Sequence, residues 1–390
     1  MKERYDIVVV GGGPAGSSAA VTAARGGAQV LLVEKDAEIG VPVRCAEGVS
    51  EQSLHSLFER DPSWVSNQIS KLTFVAPNGT EVRINSPRIG CILDRSAFDR
   101  DMALQATEAG ATVLTRTCVT ALTRRGDEEW DVSIERKDQS VLIKARIVIG
   151  ADGVESRVGR WAGIDTSTGL HDIETCVQYT LDGLDIDHQC CQLHFGREVA
   201  PGGYLWVFPK GPGVANVGLG ISGEYARRKK PVEYLDESVD RLFPGAGVVR
   251  SVGGGVPCSL PLKEPVAEGV MLVGDAAHQA DPMTGGGIMN GVRAGRLAGR
   301  VAAEAIARGD WSKRRLTTYT EQCDELMGKK LRRSYRLKEA IYKLSDEELN
   351  ATAQTLNTID PEKRTLNRVF LTALAKNPKL LPDIIALFGS

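Results

Sequence analysis

Three glycines, Gly11, Gly13 and Gly16, stand in the order G-x-G-x-x-G within "VVVGGGPAGSSAA". That spacing suits one task, the holding of a dinucleotide pyrophosphate. The first glycine permits a tight turn, the second lets a phosphate approach bare backbone, and the third lets a helix pack on the preceding strand. Amides at the start of that helix, that of Ala15 among them, would face the phosphates with the helix dipole behind them. Glu34 follows about 20 residues on, where a carboxylate can bind ribose hydroxyls and repel a 2′-phosphate, so NADP is disfavoured here. A ligand-free glycine turn is the bland alternative. It does not explain why the acid comes at the end of the next strand.

A second group of residues suggests hydrocarbon chemistry. In "APGGYLWVFPKG" the rings of Tyr204, Trp206 and Phe208 occupy alternate positions. Period two puts them on one face of an extended strand. In a chain only 5% aromatic, they could be ordinary packing of a sheet against its helices, or they could wall a slot for a long apolar substrate.

The elements that must position these residues are legible in outline. Tyr5–Val10 is a continuous apolar run, as expected for a strand buried on both faces. An Ala-rich helix over Ser17–Arg25 stops at Gly26–Gly27, and Val30–Val33 is the next parallel strand, completing a βαβ unit. A strand, a helix from about Ser96 to Ala109 and a strand through Val119 follow. A hairpin then feeds the buried strand Ile147–Gly150. Residues from about 166 to 265 alternate and turn on glycine, so they predict mainly sheet. "GVMLVGDAAHQADPMTGGGIMNGVRAGRLAGRVAAEAI" returns to strand, loop and long helix, and the chain from Ser312 onward is helical and charged. The predicted fold class is α/β: a Rossmann-like dinucleotide-binding domain split in sequence (1–70, 95–165 and 266–310), an inserted, mainly antiparallel sheet domain for substrate (71–94 and 166–265), and a helical C-terminal region (311–390).

Bulk properties narrow the function classes. The 390 residues suffice for two or three domain-sized units. A net charge of −2 argues against a nucleic-acid binder. Eight cysteines without a CxxC pair predict neither structural zinc nor a disulfide framework, and no metal site is expected. No apolar run approaches the roughly 20 residues of a membrane span, and no signal peptide is recognisable. The expectation is a cytoplasmic protein that could still touch a membrane peripherally.

The glycine fingerprint alone does not separate FAD from NAD. Two later segments do, by resemblance. "VIGADGVESRVGR", with Asp152–Gly153, and "VMLVGDAAHQADPMTGGGI", with Gly274–Asp275, resemble the DG and GD segments of FAD-dependent aromatic hydroxylases and their relatives. The resemblance implies that Asp275 binds the flavin ribityl chain and that Gly287 and Ile288 lie against the isoalloxazine. Within that superfamily, "RCAEGVS", "CILDRSAFDR" and the aromatic stretch resemble the geranylgeranyl reductase branch, specifically the archaeal digeranylgeranylglycerophospholipid reductases. This likeness spans about residues 1–310. It implies that Arg44, Cys45, Ala46 and Gly48 sit near the flavin, that Arg95 meets the FAD phosphates, and that backbone at Val119 lies beside the adenine. A salt bridge from Arg95 to Asp94 or Asp99, and a merely packed Cys45, are the plain alternatives.

The resemblance implies an oxidoreductase of membrane-lipid biosynthesis, a flavoprotein with FAD as cofactor that saturates the isoprenoid double bonds of geranylgeranyl phospholipids. Tyr204, Trp206 and Phe208 would line the substrate slot. Cys45, Tyr204 and Trp206 are the catalytic candidates, with Cys45, Tyr204 or a water as proton source. His278 is read as a loop stabiliser. An isoprenoid phospholipid or other prenyl substrate is the expected partner, with ferredoxin or a reduced nicotinamide as electron donor. The basic run "MGKKLRRSYRLK" and the apolar "NRVFLTALAKNPKLLPDIIALFGS" could contact lipid, or be a solvated helix face and ordinary packing. Two other classes share the motifs: a flavin monooxygenase hydroxylating an aromatic or polyprenyl substrate, and a non-catalytic FAD-stabilised lipid carrier.

Overall fold

A computed structural model describes residues 2–59, 61–126, 129–364 and 372. The chain forms two compact units. Of the described residues, the first gathers 2–43, 95–168 and 257–332; the second gathers 44–94, 169–256 and 333–364. These boundaries give 44–70 to the second unit and 311–332 to the first.

The first unit is built on an eight-stranded sheet. Arg4–Val10 lies between Gln139–Gly150 and Val30–Val33, parallel to both, and the parallel run extends to Thr112–Leu114 on one side and Val270–Leu272 on the other. A hairpin of Thr117–Arg125 and Glu129–Arg136 joins it antiparallel to Gln139–Gly150. The apolar runs are continuous because both faces are covered. Ile7, Val9, Val30 and Leu32 face helices, whereas Val8, Val10, Leu31 and Val33 face the layer holding Val132 and Ile134.

Two helices cover the first face. Pro14–Arg25 begins on a proline at its first turn and ends at Gly26. Ile288–Arg308 is closed by Gly309 in left-handed conformation (φ 66°). Their crossing is set by a glycine stripe at four-residue spacing, one face of the second helix. A Cβ on Gly295 would fall 2.1 Å from the Ala15 carbonyl oxygen, and one on Gly299 would fall 2.4 Å from that of Ala19. Lys313–Cys323 joins the same core through Leu316, Tyr319 and Cys323, which is why residues after 310 belong here.

The second unit carries its own eight-stranded sheet, in the order Gly247–Pro257, Ile173–Asp182, Val214–Ser222, Tyr204–Gly211, Cys190–His194, Val65–Val75, Glu81–Leu93 and Gly48–Ser50. From Ile173–Asp182 onward the pairs are antiparallel, except that Cys190–His194 runs parallel to Val65–Val75. Leu205, Val207, Val217 and Leu219 sit under the helix Pro231–Leu242 through Leu235 and Val239. That helix interrupts a stretch expected to be mainly sheet. Asp346–Asn357 covers Phe74, Val82 and Ile84 through Ala353 and Leu356. The apolar segment 367–390 lies outside the described residues, apart from Thr372.

Gly295→Ala should lower stability by about 2 kcal/mol, because its methyl meets backbone rather than a yielding side chain. Thermal melts against Gly169→Ala, which has open space at its Cβ position, check this. Equal melting temperatures for the two variants would contradict it.

Candidate active site

The fingerprint glycines behave differently from one another. Gly11 has φ +105°, and a Cβ there would fall 2.3 Å from the Ala151 carbonyl oxygen. A Cβ on Gly16 would fall 1.9 Å from the oxygen of Gly11, so the turn and the helix touch through bare backbone. Gly13 has nothing within 4 Å of its Cβ position, which leaves its amide approachable from outside. It caps the helix Pro14–Arg25 with no side-chain hydrogen bond, and the first turn holds no acid. Amides there, including that of Ala15, are thus presented to an anion rather than to a protein carboxylate. Glu34 takes the Gly12 amide at 2.8 Å and the Asp36 amide at 2.9 Å, one on each oxygen. Each oxygen keeps a lone pair for a hydroxyl.

Asp275 lies in the short helix Gly274–Ala277. Its carboxylate accepts no hydrogen bond among the described residues. Burial pushes its pKa above the usual range, with the charge of Arg95 opposing. A half-buried acid without a donor suits ligand hydroxyls, which would supply what the protein does not. Gly287 is the N-cap of Ile288–Arg308, again without a side-chain cap, and a Cβ there would fall 3.0 Å from Asp275 Oδ1. Asp275, Gly287 and Ile288 are therefore brought together. Arg95 forms a two-pronged pair with the buried Asp99, Nε to Oδ1 at 2.8 Å and Nη2 to Oδ2 at 2.7 Å. It is not a surface bridge, and its field reaches Asp275. Val119 is buried where a bulge interrupts the pairing of Thr117–Arg125 with its neighbour, which re-aims the backbone.

The Gly274–Asp275 loop is held by residues not singled out in the sequence. Gln279 Oε1 accepts the Gly274 amide at 2.7 Å, and Gln279 Nε2 donates to the Tyr319 hydroxyl at 2.9 Å. Tyr319 in turn donates to the Leu272 carbonyl at 2.8 Å. His278, in left-handed conformation, places Nδ1 3.0 Å from Ser259 Oγ and Nε2 3.2 Å from Thr168 Oγ1. With both ring nitrogens engaged, it braces the loop. Tyr319 lies 40 positions from Gln279, with no motif to mark it.

In the second unit, Tyr204, Trp206 and Phe208 do share one face of their strand. Trp206 is 8% exposed and its ring centroid lies 6.0 Å from that of Tyr204, edge-on. Phe195 and Phe74 continue the series. The helix Pro231–Leu242 covers the opposite face, the one with Leu205 and Val207. Trp206 lies across from Gly218, where a Cβ would fall 2.6 Å from the indole.

Arg44 is exposed, and the Cys45–Gly48 segment after it is tied to this face. Gln178 Nε2 donates to the Cys45 carbonyl at 3.1 Å, while Gln178 Oε1 accepts the Trp206 indole N–H at 2.9 Å. Asn216 Nδ2 donates to the Ala46 carbonyl at 3.4 Å and to Glu47 Oε2 at 2.7 Å. Glu47, in left-handed backbone (φ 71°), pairs with Lys210 at 2.5 Å, and Gly48 packs on Phe208. Two separate stretches, "RCAEG" and "YLWVFPK", are thus one structure. Gln178 and Asn216 were missed; their signal is a polar residue at an inward position of an alternating strand, which must have a partner.

The chain matches the family model described as the geranylgeranyl reductase catalytic domain over residues 172–256, and the FAD-binding-domain model over 4–199. It is 45% identical to digeranylgeranylglycerophospholipid reductase 1 of Methanococcoides burtonii, over 100% of this chain and 96% of that one. The chain belongs to the geranylgeranyl reductase family. A second member, the digeranylgeranylglycerophospholipid reductase of Methanocella arvoryzae, is 42% identical over 99% of this chain and 100% of its own. Among solved structures, a geranylgeranyl bacteriochlorophyll reductase-like protein from Thermoplasma acidophilum superposes with a TM-score of 0.92 at 34% identity, covering 99% of this chain and 100% of that chain.

As a geranylgeranyl reductase family member the chain is an FAD-dependent oxidoreductase, and its residues fit that cofactor. The open Gly13, the uncapped helix and the donor-starved Asp275 answer to phosphate and polyol.

Asp275→Ala should weaken FAD retention by about 10–100-fold, the worth of a charge-assisted hydrogen bond. Flavin absorbance per mole of purified protein reads it. Full retention would remove Asp275 from the cofactor's contacts. Lys210→Met removes an ammonium from Glu47, which is 4% exposed at its side chain. It should cost about 2–3 kcal/mol, less than a fully buried pair because Lys210 is partly solvated. Adding Glu47→Gln should recover part of that loss in a double-mutant cycle.

Proposed function

We propose that this protein saturates the isoprenoid double bonds of geranylgeranyl chains in digeranylgeranylglycerophospholipids, a step of archaeal membrane-lipid biosynthesis. The observation that carries the reading is the second unit's sheet. One face is covered by a helix, and the other carries the half-buried Tyr204 and the buried Trp206 beside side-chain-free Gly218 and Gly220, within the segment that matches the reductase catalytic domain. The names of the relatives support the same substrate.

When bound, FAD supplies the two-electron-reduced isoalloxazine, a hydride source for one alkene carbon. The protein's own contribution is placement and exclusion of water. Burying hydrocarbon against the rings is favourable by about 0.8 kcal/mol per methylene. The Trp206 N–H is already satisfied by Gln178, so its ring can face an apolar chain without an unmet donor. Gln178 also fixes the Cys45 backbone, so the segment Cys45–Gly48 and the aromatic wall hold one relative position. The Cys45 Sγ accepts the Glu47 amide at 3.2 Å.

No helix among the described residues is long and apolar enough to cross a membrane. Peripheral contact remains part of the proposal, and the helix Lys329–Tyr342 is its basic element. That helix is not a uniform cationic face, since Lys338 is 0% exposed and pairs with Asp172 at 2.6 Å. Ferredoxin and reduced nicotinamide are the proposed electron donors, told apart by supplying each to the oxidised protein without air.

Dithionite-reduced protein incubated anaerobically with a digeranylgeranyl phospholipid should yield lipid heavier by two hydrogens per reduced bond. Oxygen-dependent hydroxylation would install the monooxygenase reading instead. Trp206→Ala should weaken lipid binding at least about 10-fold, from roughly 2 kcal/mol of lost apolar contact, with FAD content intact. Unchanged binding would return the rings to ordinary packing.

A further inference from the structure

A hydrogenation needs a proton as well as a hydride, and the sheet of the second unit buries an acid that no step above uses. Glu174 is 7% exposed. Its place on the sheet follows from register. Glu174, Cys176 and Gln178 alternate onto the same face of their strand, where Cys176 lies across Gly220 from Tyr204 and Gln178 across Gly218 from Trp206. Glu174 therefore belongs to the aromatic face, at its end.

Its two oxygens differ. Oε1 accepts the Tyr342 hydroxyl at 2.5 Å. Oε2 is buried and has no hydrogen-bond partner among the described residues. It rests against bare backbone, 2.9 Å from the Cβ position of Gly203 and 3.3 Å from that of Gly220. The half-buried Cys176 Sγ closes on the same point, 3.1 Å from the Gly220 Cβ position. A side chain on Gly220 would meet both thiol and carboxyl; glycine leaves the space over its backbone to them. An unpartnered carboxylate oxygen in such a place is costly, whereas a protonated one is a donor; the Cys176 thiol meanwhile points to the Glu174 backbone carbonyl at 3.8 Å.

We propose that Glu174 is the proton reservoir of the reduction, passing its proton through the Cys176 thiol to the second alkene carbon. The inference rests on the reductase reading above. In the step, the C=C π bond breaks. One carbon gains a hydride equivalent drawn from two-electron-reduced flavin. The other forms a C–H bond with the proton leaving Cys176 Sγ, while sulfur takes the proton from Glu174 Oε2. Glu174 ends as a carboxylate and regains a proton from solvent before the next turnover.

The surroundings suit a group that holds and reloads a proton. Burial raises the Glu174 pKa to about 7; the Tyr342 hydrogen bond and the charges of Lys338 and His171 oppose it. Lys338 itself pairs with Asp172. His171, half-exposed and bonded to Glu339 at 2.7 Å, has a raised pKa from that bond. Burial, Glu174 and Cys45 all push the Cys176 thiol up, so it stays protonated and relays rather than attacks.

The experiment uses full-length, FAD-loaded protein with dithionite and a digeranylgeranyl phospholipid, without air. Wild-type turnover should fall as pH rises through about 7. Tyr342→Phe removes a contact that lowers the pKa, so it should move that limb to higher pH. Glu174→Gln and Cys176→Ala should each lose at least 100-fold in lipid reduction with FAD content unchanged. Independently of turnover, wild-type protein should show a carboxylic C=O infrared band titrating near pH 7 that Glu174→Gln lacks. Because the folded pKa lies above the unfolded value of about 4.3, the stability from this group is full below that value and is lost as pH rises to about 7. The wild-type melting temperature should thus fall more than that of Glu174→Gln across this window. Turnover within threefold of wild type in either variant, or an alkaline limb unmoved by Tyr342→Phe, overturns the relay alone. Wild-type protein that reduces no lipid overturns the reductase reading and the relay with it.

Discussion

Missing Cβ atoms set the spacing in both halves of this protein. In the first unit, the turn at Gly11, the start of the helix at Gly16 and the stripe through Gly295 and Gly299 each bring backbone to within a carbonyl's reach of backbone. None of these approaches survives a methyl group. The nucleotide turn is thereby wedged between a strand and two helices, and its geometry is a property of the core rather than of a surface loop. In the second unit the same device acts differently. Gly218 and Gly220 leave the centre of a sheet face without side chains, so the neighbouring indole and carboxyl lie flat across it.

Polar side chains do the rest of the positioning. Gln178 and Asn216 each bridge the Cys45–Gly48 segment to the sheet, and the buried Glu47 is met by an amide and an ammonium together. In a low-dielectric setting such bonds are strong because the alternative is an unmet charge. A single arrangement satisfies all of them, which gives the segment one conformation despite a left-handed residue at its centre.

Much of this could be read from residue order. The strand–turn–helix–strand start was visible because apolar runs and fingerprint glycines obey local rules, and Arg4–Val10, Pro14–Arg25 and Val30–Val33 match that reading to within a few residues. The common face of Tyr204, Trp206 and Phe208 followed from period two. What stayed hidden was non-local. Nothing near Tyr319 or Gln279 announces that they meet. Arg95 offers two acids as partners, and only the fold selects the one four residues on, a single helical turn away. The helix Pro231–Leu242 has a clear amphipathic pattern, but it sits in a stretch whose glycines and alternation pull the reading towards sheet. The basic run around Lys338 looks like surface until burial against Asp172 shows one lysine facing inward.

The bond from Tyr319 to Gln279 and the Leu272 carbonyl has an evolutionary corollary. It fastens the Gly274–Asp275 loop to a helix that enters only after the long glycine-striped one has ended. A recombination event that donated this nucleotide module while cutting at residue 310 would strip the loop of its keystone. The transferable cassette therefore runs to the end of the Lys313–Cys323 helix, and insertions that diversify the lineage should accumulate beyond it rather than before.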